Sequence, residues 1–169
     1  MESNNGSHRG QGGFPADRPI DALKADHRLV RQLFDQFFNT QDVNAKKEGG
    51  PRLLLLLEMH AALEESVFYP RVQEAEPGLV EHCEQEHQEA RQLIEQLKGM
   101  DEADAQYEQL MRQLSESVMR HVENEEQTLF PKVQQSGLDL GEIGLQMQAF
   151  ESNMLGTQAR QSGQRGMQQ

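Results

Sequence analysis

The chain has 169 residues, 16 of them basic and 28 acidic, for a net charge of −12, with 36% hydrophobic and 5% aromatic residues. That length suits one domain with tails, and so acidic a balance argues against nucleic acid or an anionic membrane surface, both of which need a positive face to meet phosphate. There is no basic start followed by an apolar run, the longest apolar stretch (Leu53 to Leu57) is far short of a membrane span, and the single cysteine, Cys83, excludes an internal disulfide; a soluble cytoplasmic protein is expected.

Residues 1–16, rich in Gly, Asn, Ser and Gln, bury too little surface to offset their ordering entropy and are expected to form a flexible arm. Asp17 can cap a helix whose first turn holds Pro19. From there Ile20, Leu23, His27, Val30, Phe34 and Phe37 recur at steps of three and four, an apolar seam with a histidine inside it, and this first helix should run to about Thr40. A polar loop leads to Gly49 and Gly50, and Pro51 opens a second helix with Leu53, Leu56, His60, Glu64 and Val67 on one face. Pro70 should kink or finish it. Pro77 and Gly78 start a third helix whose Val80, Cys83, His87, Ala90, Ile94 and Leu97 repeat the first seam 60 positions later, up to Gly99. Asp101 and Asp104 resemble an acidic capping arrangement before a fourth helix that carries Tyr107, Leu110, Leu114, Val118, His121 and Glu125 inward and reaches Pro131 as the second reached Pro70. After Ser136 and Gly137, residues 136–155 suggest a short helix lying across the others, with apolar Ile143, Met147 and Phe150, and residues 156–169 read as a disordered tail. The architecture expected over 17–135 is all-α: an antiparallel up-down four-helix bundle made of two duplicated helical hairpins.

The duplication is plainest where the chemistry lies. His60-Ala-Ala-Leu-Glu64-Glu65-Ser-Val-Phe68-Tyr69-Pro70 returns 61 positions later as His121-Val-Glu-Asn-Glu125-Glu126-Gln-Thr-Leu129-Phe130-Pro131, and Asp26-His27 returns as Glu86-His87. In each copy a histidine precedes a glutamate by four residues, which stacks the two on one helix face. One seam histidine per helix (His27, His60, His87 and His121) joins Glu64 and Glu125, and imidazole with carboxylate suits iron, manganese and zinc. Buried without partners, each such group costs roughly 1–3 kcal/mol; a metal pair removes that cost for all six. His8, in the arm, and His82, off the seam, stand apart. The order His before Glu at i, i+4 is neither the His-Glu-x-x-His of zinc proteases nor the Glu-x-x-His of ferritin-like sites.

At these residues the sequence resembles the hemerythrin family, in the form known as the HHE cation-binding domain, over about residues 17–133. The resemblance implies a non-haem diiron centre, two iron ions with manganese or zinc as alternatives, in which His27, His60, His87 and His121 supply terminal nitrogens and Glu64 and Glu125 bridge. Glu65 and Glu126 follow the bridges but lie further round the helix. Where the family's oxygen carriers hold a further histidine, one turn before the third-helix ligand, this chain has Cys83, which leaves room for water, peroxide or a third carboxylate. Cys83 matches Leu23 in the first copy and is expected to pack as a small apolar residue. Tyr69, matched by Phe130, is expected to fill the bundle end, although a phenol near iron can ligate it or donate a hydrogen bond. Asp26 and Glu86, each just before a seam histidine, could orient the groups around the ligands, although most charged residues at such positions are merely solvated. Three functions follow: a protein that binds or senses dioxygen or peroxide behind an apolar wall that includes Leu33, Leu63 and Phe68; a catalase-like, peroxidase or nitric-oxide-reducing enzyme; or a metal-stapled structural or iron-responsive interaction protein whose tails bind a partner protein.

Overall fold

A computed structural model of the chain describes residues 13–167. Along it run α1 (Pro19–Asn39), α2 (Val43–Leu63), a π-helical turn (Glu64–Phe68), α3 (Tyr69–Val72), α4 (Pro77–Lys98), α5 (Ala105–Asn124), a second π turn (Glu125–Leu129), α6 (Phe130–Gln135) and α7 (Leu140–Met167). The described residues include no strand. α1, α2, α4 and α5 form the four-helix bundle, with α2 running on through its π turn into α3 and α5 into α6.

The seams decide the packing. All six apolar and histidine positions of the first seam are buried, as are Val80, Cys83, His87, Ile94 and Leu97 of α4. In α2 the deepest residues are Leu53, Leu54, Leu57 and Leu63, with Leu56 and Val67 half-buried, and in α5 Met111 lies deeper than Leu110. Each such side chain contributes about 1.5–3 kcal/mol by leaving water. The core falls into two clusters with the histidines between them. One holds Ile20, Leu23, Phe68, Tyr69 and Phe130 and is covered by α7; the other holds Val30, Phe34, Leu57, Ile94 and Met111.

Several boundaries differ from the sequence reading, each for a local reason. α2 begins at Val43, where the Asp42 carboxylate accepts from the Asn44 N–H at 2.9 Å, and it continues through Pro51. Gly50 is not loop but close approach: a Cβ there would lie 2.5 Å from the Tyr107 hydroxyl. α1 is preceded by Arg18, whose guanidinium offers no acceptor for a cap, and Asp17, one residue too early, pairs with Arg18 at 3.7 Å. Asp104 caps α5, accepting from the Gln106 N–H at 2.9 Å. Of the arm expected over 1–16, residues 1–12 lie outside the described residues, but Phe14 is 2% exposed and its carbonyl accepts from Gln148 Nε2 at 2.9 Å. Gly144 of α7 meets the Ala16 carbonyl so closely that no other residue would fit. The last helix is longer than expected, running to Met167.

Candidate metal centre

Each helix of the four-helix bundle delivers one histidine to a common layer: His27 from α1, His60 from α2, His87 from α4 and His121 from α5. Glu64 and Glu125 each open a π turn and are fully buried. Glu64 Oε1 lies 3.1 Å from His60 Nε2 and 3.3 Å from His87 Nε2; Glu125 Oε1 lies 3.2 Å from His27 Nε2 and 3.3 Å from His121 Nε2. Each carboxylate therefore meets one histidine from each hairpin.

The outer edge of three imidazoles is held by another acid, and a fourth acid stands near the last. Asp26 meets His60 Nδ1 at 2.9 Å, Glu126 meets His27 Nδ1 at 2.9 Å, Glu86 meets His121 Nδ1 at 3.1 Å and Glu65 lies 3.8 Å from His87 Nδ1. A carboxylate at Nδ1 fixes the tautomer that leaves Nε2 free to point inward. Asp26 and Glu86 thus sit where the sequence placed them. Glu65 and Glu126 do not face the centre, but they back the histidines of the opposite hairpin, a role the sequence reading missed even though both copies carry the second acid.

The π turns bring in one more residue. In such a turn the fifth residue rather than the fourth comes round to the face of the first, and the Tyr69 and Phe130 N–H groups donate to the Glu64 and Glu125 carbonyls. Regular helical periodicity would turn both aromatics away. Instead the Tyr69 hydroxyl donates to Glu125 Oε2 at 2.6 Å and stands 3.2 Å from His87 Nε2 and 3.3 Å from His121 Nε2, so the phenol enters the site rather than only filling the bundle end. Phe130, in the matching place, stacks on the His27 ring with 6.0 Å between centroids. Cys83 is 2% exposed and packs in the apolar cluster, as expected of a counterpart of Leu23; its sulfur also stands within 4.8 Å of His121 and Glu86 ligand atoms.

Charge in the layer is balanced by pairing. Burial works against protonation of His60, but Glu64 and Asp26 raise it to about 10. Burial likewise pushes the Glu64 carboxyl up, and the His60 charge with the polar groups of Glu125 and His121 nearby overcomes it, holding Glu64 well below the usual range. Burial, reinforced by Glu125 and Glu64, keeps the Tyr69 phenol protonated far above its ordinary value, and burial raises the Cys83 thiol.

The residues present fit a metal. His27 Nε2, His60 Nε2, both oxygens of Glu64 and Glu125 Oε1 are buried with no hydrogen-bond partner in the protein, a costly state that a cation relieves. Ligand atoms of His27, His60, Glu64 and Glu125 lie within 4.8 Å of one another, as do those of Glu64, His87 and His121. Nitrogen and carboxylate donors suit iron, manganese and zinc. Leu63 and Phe68 are buried in the cluster beside Tyr69, whereas Leu33, expected in the same wall, is half-buried and packs with Phe34's cluster beyond the layer. His82 is exposed, 3.7 Å from Glu86, and His8 lies outside the described residues.

Residues 18–133 match the family model of the hemerythrin HHE cation binding domain. Among curated proteins the chain is 33% identical over 130 residues to a protein of Nostoc sp. called a DNA nickase, covering 76% of this chain but 37% of that one. It is 24% identical over 122 residues to an uncharacterized hemerythrin-like protein of Schizosaccharomyces pombe, covering 70% of this chain and 60% of the other. The chain thus spans less than two thirds of both relatives. Its fold is similar to the crystal structure of a hemerythrin HHE cation-binding-domain protein from Mycobacterium kansasii, with a TM-score of 0.69 at 19% identity, covering 85% of this chain and 88% of that one. Among the described residues no helix is long and apolar enough to cross a membrane.

Proposed function

The chain belongs to the hemerythrin HHE cation-binding family, and from that premise we propose a non-haem diiron protein that binds or senses dioxygen or peroxide in the cytoplasm. His27, His60, His87 and His121 serve as terminal ligands, and Glu64 and Glu125 as bridges. One observation carries the reading: each glutamate stands between the two histidine pairs, its Oε1 3.1–3.3 Å from one histidine of each hairpin, so that its carboxylate could reach an ion held by either pair. An iron pair supplies two adjacent redox centres able to exchange electrons with dioxygen, peroxide or nitric oxide. The protein's own part is to hold three Nδ1 atoms against carboxylates, with Glu65 3.8 Å from the fourth, to exclude water with two apolar clusters, and to keep a proton on the Tyr69 hydroxyl beside Glu125. The net charge of −12 favours a small ligand over nucleic acid, and most of the Nostoc relative's length lies outside the match, so its name transfers no activity here.

A second reading, consumption of peroxide or nitric oxide, is favoured by Tyr69, a protonated phenol within 3.3 Å of two ligand nitrogens in one half of the site. Elemental analysis of the purified chain, with visible absorption followed through anaerobic reduction and return of air, tests both. About two irons per chain and a ferric absorption that bleaches and returns are expected; steady peroxide loss at the same time selects the enzyme. Zinc alone, a single ion, or a rise in melting temperature with any divalent metal and no redox change would leave only a structural centre.

A further inference from the structure

A cavity of about 180 Å3 opens between α2 and α4 onto the histidine layer. Neither Glu64, Glu125 nor Tyr69 lines it, so it lies to one side of the carboxylates rather than among them. Its walls are the four histidines with Val30, Leu57, Ile94, Val118 and Val122, and the half-buried Ala61, Ala62 and Ala90 complete the lining between the helices. The internal repeat explains why it is there. The counterpart of Ala61 in the second copy is Val122 and the counterpart of Ala90 in the first is Val30, so valines close the α1/α5 side where alanines leave the α2/α4 side open.

The volume is far more than a diatomic gas needs: a water requires only about 10–15 Å3 of such space, and an apolar cavity of about 150 Å3 in another protein stays dry and binds benzene. At the mouth stand Glu58, Glu65 and Glu95, answered by Arg91, which donates to both Glu65 oxygens at 2.7 Å, and by Lys98, 2.8 Å from Glu58. The lining carries three acids and one base, with Lys98 outside it, which disfavours an anion, and a largely apolar wall disfavours a cation stripped of water.

We infer that this cavity is a binding site for a neutral, apolar organic molecule of about the size of one aromatic ring, seated against the histidine layer through the gap that Ala61 and Ala90 leave. The inference goes beyond the diiron reading, which calls only for a diatomic or triatomic ligand or peroxide.

Isothermal titration of the metal-loaded chain with benzene is the test, with benzylammonium as the charged control, because a carboxylate could ligate the metal itself. Benzene should bind one to one, and benzylammonium at least about tenfold more weakly. Ala61→Val with Ala90→Val, which gives the open side the residues of the closed one, should weaken benzene roughly tenfold or more. Ala90→Val alone provides a milder version should the pair disturb folding, checked by circular dichroism and thermal melting. Absence of benzene heat, equal benzylammonium affinity, or binding unchanged by either valine variant while the fold is intact would overturn the site. Iron content measured on the same samples separates the two ideas: loss of the diiron reading leaves the benzene result standing, and the reverse.

Discussion

Beside His27 and His60 stand Leu23 and Phe130; at the matching places beside His87 and His121 stand Cys83 and Tyr69. Further along the bundle Val30 and Val122 fill one side where Ala90 and Ala61 leave the other open. What both halves keep is the charged framework: a glutamate shared between hairpins and an acid at or near every Nδ1. The difference follows from unequal costs. Removing one partner of a buried ion pair leaves an uncompensated charge worth about 3–5 kcal/mol, whereas resizing an apolar filler by a methylene or two costs about 1–3 kcal/mol. Divergence after duplication therefore collected in the filler, and the filler now distinguishes the halves.

The strongest way to break this comparison is to remove a shared group against an unshared one. Glu64→Ala or Glu125→Ala should abolish most of the metal, while His27→Ala or His87→Ala should lose roughly half, because each histidine serves one ion; elemental analysis that found equal losses would refute the sharing. Next come the backing acids. Asp26→Asn and Glu86→Gln should each weaken metal binding about 10–100-fold, measured by chelator competition, and by similar amounts if the framework is as symmetric as its distances. Tyr69→Phe makes the halves alike: metal content should hold, while any peroxide turnover falls about tenfold through loss of a proton donor, and Phe130→Tyr should not restore it. An unchanged rate would reduce Tyr69 to packing. The smallest effect is expected of Cys83→Leu, which copies the first half: full metal loading and a melting temperature within about 4 °C of the parent.

The sequence made the ligand layer legible because repetition at steps of 60 and 61 aligned one histidine per helix, and because His before Glu at i, i+4 converges only on a helix. The seams of α1 and α4 were readable for the same reason. The start of α2 was not, since Gly49, Gly50 and Pro51 look like a loop until Tyr107 is packed against Gly50, a contact between residues far apart in the chain. Phe14 was hidden in a glycine-rich segment, its burial being supplied by α7. Tyr69 was misjudged because its orientation depends on a π turn, which leaves no periodicity of its own in five residues.

Both π turns begin four residues after their histidine and span matching residues, Glu64–Phe68 and Glu125–Leu129. A turn of this kind is how a helix absorbs a one-residue insertion while its flanks keep their phase. Two independent insertions at the same point are an unlikely coincidence; a single one in the ancestral hairpin, copied when that hairpin doubled, explains both. The irregular turn is then older than the four-helix bundle itself. The ancestor would have been a lone hairpin pairing with its own twin, already carrying the insertion that swings an aromatic toward its partner's histidines.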